Sequence, residues 1–268
     1  MSRTAIHIGS LTIYYYSILM FCAVVVAYFL ITKEGKKRKI DKDFLTNLIF
    51  YCVIFGFLGA RVYYVLFNLD YYAQNPVDIL KVWEGGLAIH GGLIAGFLTL
   101  LVYCKKNNKN ILKITDIAVV GILLAQAIGR WGNFFNKEAH GPITTLATLK
   151  SEHLPKFIID GMNIEGIYYQ PTFLYESIWN VFGFILLLIV RKNKKLKVGT
   201  LSGIYLSWYS FGRFFIEYFR TDSLMLGPIK IAMVVSFLLF ITGILLIIKS
   251  NVKKNSKNLY KEESTNEI

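Results

Sequence analysis

At 268 residues, 54% of them hydrophobic, with a mean hydropathy of +0.47, the chain is too apolar for an ordinary soluble domain. Its apolar residues also fall in blocks long enough to cross a bilayer. The formal net charge of +13 needs no nucleic acid to explain it, because the basic residues are distributed as inner-leaflet anchors.

Seven spans are predicted, and the chain meets them in order. The first, 12–31, opens on Tyr14, Tyr15 and Tyr16 and has neither a basic leader nor a small-residue cleavage site. It is expected to be retained rather than removed as a signal peptide. The loop "TKEGKKRKIDKD" follows, with Lys33, Lys36, Lys37, Arg38, Lys39 and Lys42. Span two, 44–67, carries Arg61 in "GFLGARVYYVLF" near its far end. "NLDYYAQNPVDILKVWEGG" then reads as an interfacial arm, with Tyr71, Tyr72 and Trp83 at headgroup level.

Span three, 87–104, begins "GGLAIHGGLIAG" around His90 and leads to Lys105, Lys106, Lys109 and Lys113. Span four, 114–131, ends on Arg130. The connection 132–172 is the longest and is expected to form a small cap. Span five, 173–190, holds Glu176 in its first turn and leads to Arg191, Lys192, Lys194, Lys195 and Lys197. Span six, 199–219, contains "YSFGRFFIEYFR" with Arg213 and Glu217, and span seven covers 229–249. The last stretch, 251–268, reads as a solvated, disordered tail beyond a membrane domain of 1–250.

Alternate loops hold the positive charge: twenty of the 30 basic residues lie on one side, counting the tail from Lys249. Six, namely Arg3, Lys81, Lys137, Lys150, Lys156 and Arg220, fall on the other. The bias puts the N-terminus outside and the C-terminus in the cytoplasm. Cys22, Cys52 and Cys104 lie within spans, an odd number that argues against a disulfide framework or a zinc site.

With that topology, Arg61, His90, Arg130, Glu176, Arg213 and Glu217 all sit in the outer half of the membrane. The inner half receives almost nothing ionisable apart from Asp116. Charges inside a bilayer are costly and mark functional sites, so the expectation is one polar chamber open to the outer leaflet. Tyr209, Arg213, Glu217 and Arg220 share one helical face. For Arg213 and Glu217 two readings stand: mutual neutralisation in lipid, or a working pair. An arginine fork matches phosphate oxygens, and Glu138, Glu176 and Glu217 are placed to neutralise three arginines when no anion is bound. The glycines around His90 and Arg130 have two readings as well, close helix packing or backbone that approaches a ligand. Asn133 and Asn136 read as helix-end caps or ligand donors.

The sequence contains no phosphate-binding glycine loop, zinc spacing or nucleophile elbow. An enzyme without its own nucleophile needs a second substrate to supply one, which favours lipid group transfer over hydrolysis. A transporter would extend polar residues through the midplane and carry an internal repeat, and neither is visible.

"WEGGLAIHGG" (83–92), "GRWGNFFNKEAHG" (129–141), "QPTFLYES" (170–177), "GRFFIEYFRTD" (212–222) and "GARVYYVLF" (59–67) occur in order. Over residues 10 to 246 the chain resembles the prolipoprotein diacylglyceryl transferases. The resemblance implies an all-α bundle of seven spans in the bacterial plasma membrane. It implies an enzyme, without cofactor or metal, that moves the diacylglyceryl group of phosphatidylglycerol to the lipobox cysteine of a preprolipoprotein signal peptide. By motif, His90, Arg130, Arg213 and Glu217 take catalytic positions, and Asn133, Glu138 and Gly141 take lipid-binding ones. Tyr16, Tyr64 and Tyr209 match positions associated with the site. His90 is base or substrate orienter. Gln170 stands where the family often has His, which puts a proton-transfer role there in doubt.

Overall fold

The computed structural model describes residues 4–8, 11–220, 225–252 and 259–261. The elements run β1 (Thr4–Ile8), β2 (Leu11–Tyr14), α1 (Tyr15–Lys37), α2 (Lys42–Leu66), α3 (Leu69–Gln74), two short 3₁₀ turns (Pro76–Leu80, Val82–Glu84), α4 (Ile89–Lys106) and α5 (Ile111–Asn136). They continue with β3 (Ile143–Thr144), α6 (Leu146–Ser151), α7 (Lys156–Gly161), β4 (Asn163–Ile164), β5 (Ile167–Tyr169), α8 (Thr172–Val190), α9 (Thr200–Phe219), β6 (Met225–Leu226), β7 (Ile229–Lys230) and α10 (Ile231–Val252). The protein is mostly helical. Five helices, α1, α2, α5, α8 and α10, are long and apolar enough to cross a membrane. The other two segments read as spans are also helical, but their apolarity is lower: α4 has His90 as its second residue and ends on Lys105 and Lys106, and α9 carries Arg213 and Glu217.

Three small sheets were not expected from the apolar blocks. β1 and β2 pair antiparallel, β3–β5–β4 form a three-stranded sheet, and β6 pairs with β7. The first span therefore starts as strand and turns helical only at Tyr15. Its helix then runs through Lys36 and Lys37, cations suited to a C-terminal turn.

The chain divides into two compact units, Met1–Ile31 with Thr115–Ile268, and Thr32–Ile114. In the second unit α2 packs on α4 through glycines. A Cβ on Gly59 would lie 2.8 Å from Gly91 O, and one on Gly91 would meet Gly59 O. Gly91 and Gly92 near His90 thus take the packing reading, because only a hydrogen lets the two backbones come this close.

In the first unit α9 packs on α10 in the same way, through Gly203 and Gly243. α8 meets α9 through Trp179 and Trp208, which stack with centroids 4.2 Å apart. Each indole Nε1 donates to the other residue's carbonyl at 3.0 Å. The pair satisfies both half-buried donors and contributes about 1 kcal/mol beyond area burial. Asp116, the carboxylate near the start of α5, is fully buried and accepts from Gly199 N at 2.6 Å and from Ser202 N at 2.7 Å and Oγ at 2.6 Å. It caps the N-terminus of α9 from a helix 83 residues away in sequence.

The cap is built on a local apolar core. Phe134 from the end of α5, Leu149, Ile158, Ile159, Met162 and Phe173 are buried together. α5 continues to Asn136, so the connection outside the helix begins five residues later than position 132. Within the segment read as a solvated tail, Tyr260 is buried and its N–H donates to Leu196 O at 2.7 Å. Residues 253–258 and 262–268 of that segment, like Arg3, lie outside the described residues.

Candidate active site

Four groups that the chain order scatters over three helices come together in the first unit. Arg130 lies six residues before the end of α5, Glu176 in the second turn of α8, and Arg213 and Glu217 are one turn apart on α9. Glu176 is shared: its Oε2 lies 2.9 Å from Arg130 Nε and its Oε1 3.0 Å from Arg213 Nη1. Arg213 Nη2 then reaches Glu217 Oε2 at 2.5 Å, and Arg220 Nε stands 3.9 Å from that same oxygen. The result is an alternating chain, Arg130–Glu176–Arg213–Glu217–Arg220, with three cations and two anions.

The acids are its most buried members: Glu176 and Glu217 side chains are 5% and 3% exposed, against 20%, 15% and 14% for Arg130, Arg213 and Arg220. Two carboxylates withdrawn from water are tolerated because each is paired. The surplus positive charge sits on the more accessible forks, which suits an anion arriving from outside. Arg130 also donates to Tyr209 Oη at 3.4 Å, and the Tyr209 ring stacks on Tyr205 at 6.0 Å. Tyr205 Oη in turn accepts from Gln126 Nε2 at 3.0 Å, one turn below Arg130 on α5.

The expected division of labour among the acids is corrected on one point. Glu138 takes no share in neutralising arginine. It lies outside α5, exposed, and accepts from Asn133 Nδ2 at 3.0 Å and Asn136 Nδ2 at 3.3 Å. Asn133 and Asn136 therefore hold a carboxylate, where capping or ligand contact was read. Glu138 is flanked by Lys137 and Ala139, both at φ +56°. Left-handed backbone at two non-glycine residues is costly and persists where surrounding contacts dictate it. One such contact is Thr172 Oγ1, which donates to Ala139 O at 2.6 Å.

Around this loop the small residues serve close packing. A Cβ on Gly132 would lie 2.6 Å from the Tyr16 ring, so Tyr16 is seated directly against α5 near Arg130. Gly141 donates its N–H to Gln170 O at 2.9 Å, and a Cβ there would lie 2.8 Å from Gln170 Cβ. Its amide is already engaged, so its contribution is the approach of two chain segments. Gln170 is bound into the cap. Its Nε2 donates to Thr144 Oγ1 and to Glu152 Oε1, both at 3.2 Å, and Tyr175 Oη bridges Gln170 Oε1 and Glu152 Oε2.

Arg61, Tyr64 and His90 belong to the second unit. Arg61, read as one of the chamber's charges, is 7% exposed and spends its donors on backbone. It reaches the carbonyls of Ile79 (2.9 Å), Gly85 (2.8 Å), Gly86 (3.0 Å), Asp78 (2.5 Å) and Lys81 (3.5 Å), and it stands over the Tyr72 ring at 5.3 Å. It is the staple of the arm, whose turn at Gly85 and Gly86 needs φ of +95° and +73°. Asp78 in that arm accepts from Tyr71 Oη at 2.7 Å and pairs with Lys81 at 2.6 Å. The Lys81 bond, then the Tyr71 bond, holds its carboxyl below the usual carboxylate range. Tyr64 packs against Gly86. His90 is the second residue of α4, exposed, with its ring 6.4 Å from that of Tyr63.

The sharing of Glu176, the cap at Asp116 and the staple at Arg61 were not foreseen. A weak signal existed for each: a lone ionisable group at a span end has to be satisfied by something.

Residues 3–249 match the family model described as prolipoprotein diacylglyceryl transferase. The chain is similar to the phosphatidylglycerol–prolipoprotein diacylglyceryl transferase of Staphylococcus haemolyticus (strain JCSC1435), with 49% identity over 260 residues, 97% of this chain and 91% of the relative. That of Staphylococcus carnosus (strain TM300) is 49% identical over 250 residues, 93% and 90% of the two chains. That of Staphylococcus aureus (strain Newman) is 50% identical over 252 residues, 94% and 90%.

Proposed function

We propose that this chain, which belongs to the prolipoprotein diacylglyceryl transferase family, transfers the diacylglyceryl group of phosphatidylglycerol to the lipobox cysteine thiol of a preprolipoprotein. It is a multi-pass membrane enzyme. All seven long helices cross the bacterial plasma membrane, with the N-terminus outside and the C-terminus in the cytoplasm. The basic loops support that orientation, and α4 and α9 complete the count begun by the five more apolar helices.

The observation that carries the reading is the Arg130–Glu176–Arg213–Glu217 chain. In the reaction the cysteine sulfur forms a bond to a glyceryl carbon while that carbon's bond to phosphate oxygen breaks. The electron pair leaves with glycerol phosphate, and the thiol proton passes to a base. Charge therefore grows on the phosphate, and Arg130 and Arg213 supply preorganised donors for it, a contribution of several kcal/mol in a water-poor site. Glu176 and Glu217 hold the two forks in place. Asn133 and Glu138 form the polar rim for the headgroup, Tyr16 and Tyr209 back Arg130, Tyr64 braces the turn at Gly86, and Gly141 braces the chain at Gln170. His90 takes the thiol proton or orients the peptide. A thiol with a pKa of about 8.5 needs only modest activation.

The test mixes the purified protein with phosphatidylglycerol and a lipobox peptide and weighs the peptide. A gain of one diacylglyceryl group, lost in Arg130→Ala, is expected. Lipid binding without any mass gain would overturn the transferase reading.

A further inference from the structure

α9 ends at Phe219, where the last carbonyls run out of i+4 amide partners; Glu217 O keeps an amide, the Arg220 N–H at 3.2 Å. Lys230 meets these carbonyls. Its Nζ donates to Arg220 O at 2.6 Å, Glu217 O at 2.8 Å and Tyr218 O at 3.0 Å. Three carbonyls match the three N–H donors of an ammonium, and a cation at a helix C-terminus complements the dipole.

The placement is the more telling because Lys230 immediately precedes α10 (Ile231–Val252). A cation there is at the unfavourable end of that helix's dipole. A lysine at this level also has the option of extending its ammonium to water. Instead the half-buried side chain turns back onto α9 from β7, whose register Met225↔Lys230 sets its position. The turn it grips carries Glu217 and Arg220, two links of the alternating charge chain.

We propose that Lys230 is a positioning residue of the active site. By clamping the last turn of α9 it fixes the Glu217 carboxylate, and through it the fork of Arg213. The kinetic part of this proposal rests on the transferase reading; the clamp itself does not.

The test compares the full-length protein with Lys230→Met, which keeps the stem and removes the donors, and Lys230→Arg, which keeps a cation with several donors. Hydrogen exchange read by mass spectrometry should rise at residues 214–220 in Lys230→Met, remain unchanged in α5 and α8, and return to the original level in Lys230→Arg. Transfer rates per folded enzyme should show kcat down about tenfold, with KM for phosphatidylglycerol within about twofold and recovery in Lys230→Arg. In a Glu217→Gln background Lys230→Met should cost almost nothing more, since both act through one element. Unchanged exchange at 214–220 overturns the clamp, even if the protein transfers no lipid at all. An equal loss of rate in both backgrounds overturns positioning through Glu217. Absence of transfer by the unmodified protein, with exchange behaving as expected, overturns the transferase reading and leaves the clamp standing.

Discussion

Replacing Glu176 by Gln removes one negative charge and nothing else of size. Its carboxylate serves two guanidinium groups, at 2.9 and 3.0 Å, and is 5% exposed. Each contact is worth about 4 kcal/mol of attraction at an effective dielectric near 20, most of it offset by desolvation. Removing one partner of a buried pair nevertheless costs about 3–5 kcal/mol, because the remaining charges stay buried. A glutamine oxygen still accepts from one arginine, returning about 1 kcal/mol, but its NH2 faces the donors of the other. The net loss is about 3 kcal/mol, a fall of about 6–10 °C in Tm for a chain of this size. Thermal unfolding in detergent, followed by tryptophan fluorescence, measures it. Added phosphatidylglycerol should restore more of the loss in Glu176→Gln than it adds to the unmodified protein, because its phosphate supplies the missing negative charge. A Tm within about 2 °C of the original, with equal protection by lipid, would refute the view that one carboxylate holds both arginines.

Asp116→Ala should lower stability by about 2–4 kcal/mol by orphaning the Gly199 and Ser202 donors, with KM for phosphatidylglycerol unchanged; denaturation and kinetics on one preparation check both. Gly243→Val should force α9 and α10 apart, since even a Cβ would lie 2.7 Å from Gly203 O, at a cost of about 1–3 kcal/mol seen as a lower Tm. Arg61→Lys replaces five fixed donors by three, so the Asp78–Gly86 turn should be cut by protease faster while α8 and α9 remain protected. For Asp78 the folded-state pKa is lowered by its bonds to Lys81 and Tyr71. The stability it adds to the arm is present above the free-carboxylate pKa of about 3.9 and lost as pH falls through the depressed value. Amide exchange at residues 71–81, corrected for intrinsic rates, should be flat from about pH 8 to 5 and rise only in acid.

Much of the helical layout was legible because hydropathy is local. A run of apolar residues reports that its helix must leave water wherever the neighbours lie, and all seven predicted spans coincide with helices of 18 residues or more. The cluster of Arg130, Glu176, Arg213 and Glu217 was legible for a related reason, since charges inside apolar runs have to find one another. What each charge does was not legible. Arg61 and Arg130 look alike as arginines near the ends of predicted spans, yet one is consumed by five backbone carbonyls and the other shares a carboxylate. Glu138 and Glu176 look alike as nearby acids, yet only Glu176 meets arginine.

The sequence by itself determined the class of molecule, the positions of its helices and the family whose motifs it carries, because those depend on residue type and spacing. The tertiary structure decided which side chains meet. The rotation of α5, α8 and α9 about their axes sets whether Glu176 falls between two arginines. The approach allowed by Gly203 and Gly243 sets where α9 lies against α10. The fold of the β6–β7 hairpin sets whether Lys230 finds the end of α9. Each is a contact between residues far apart in the chain or joined by a turn, fixed by packing that no single segment specifies.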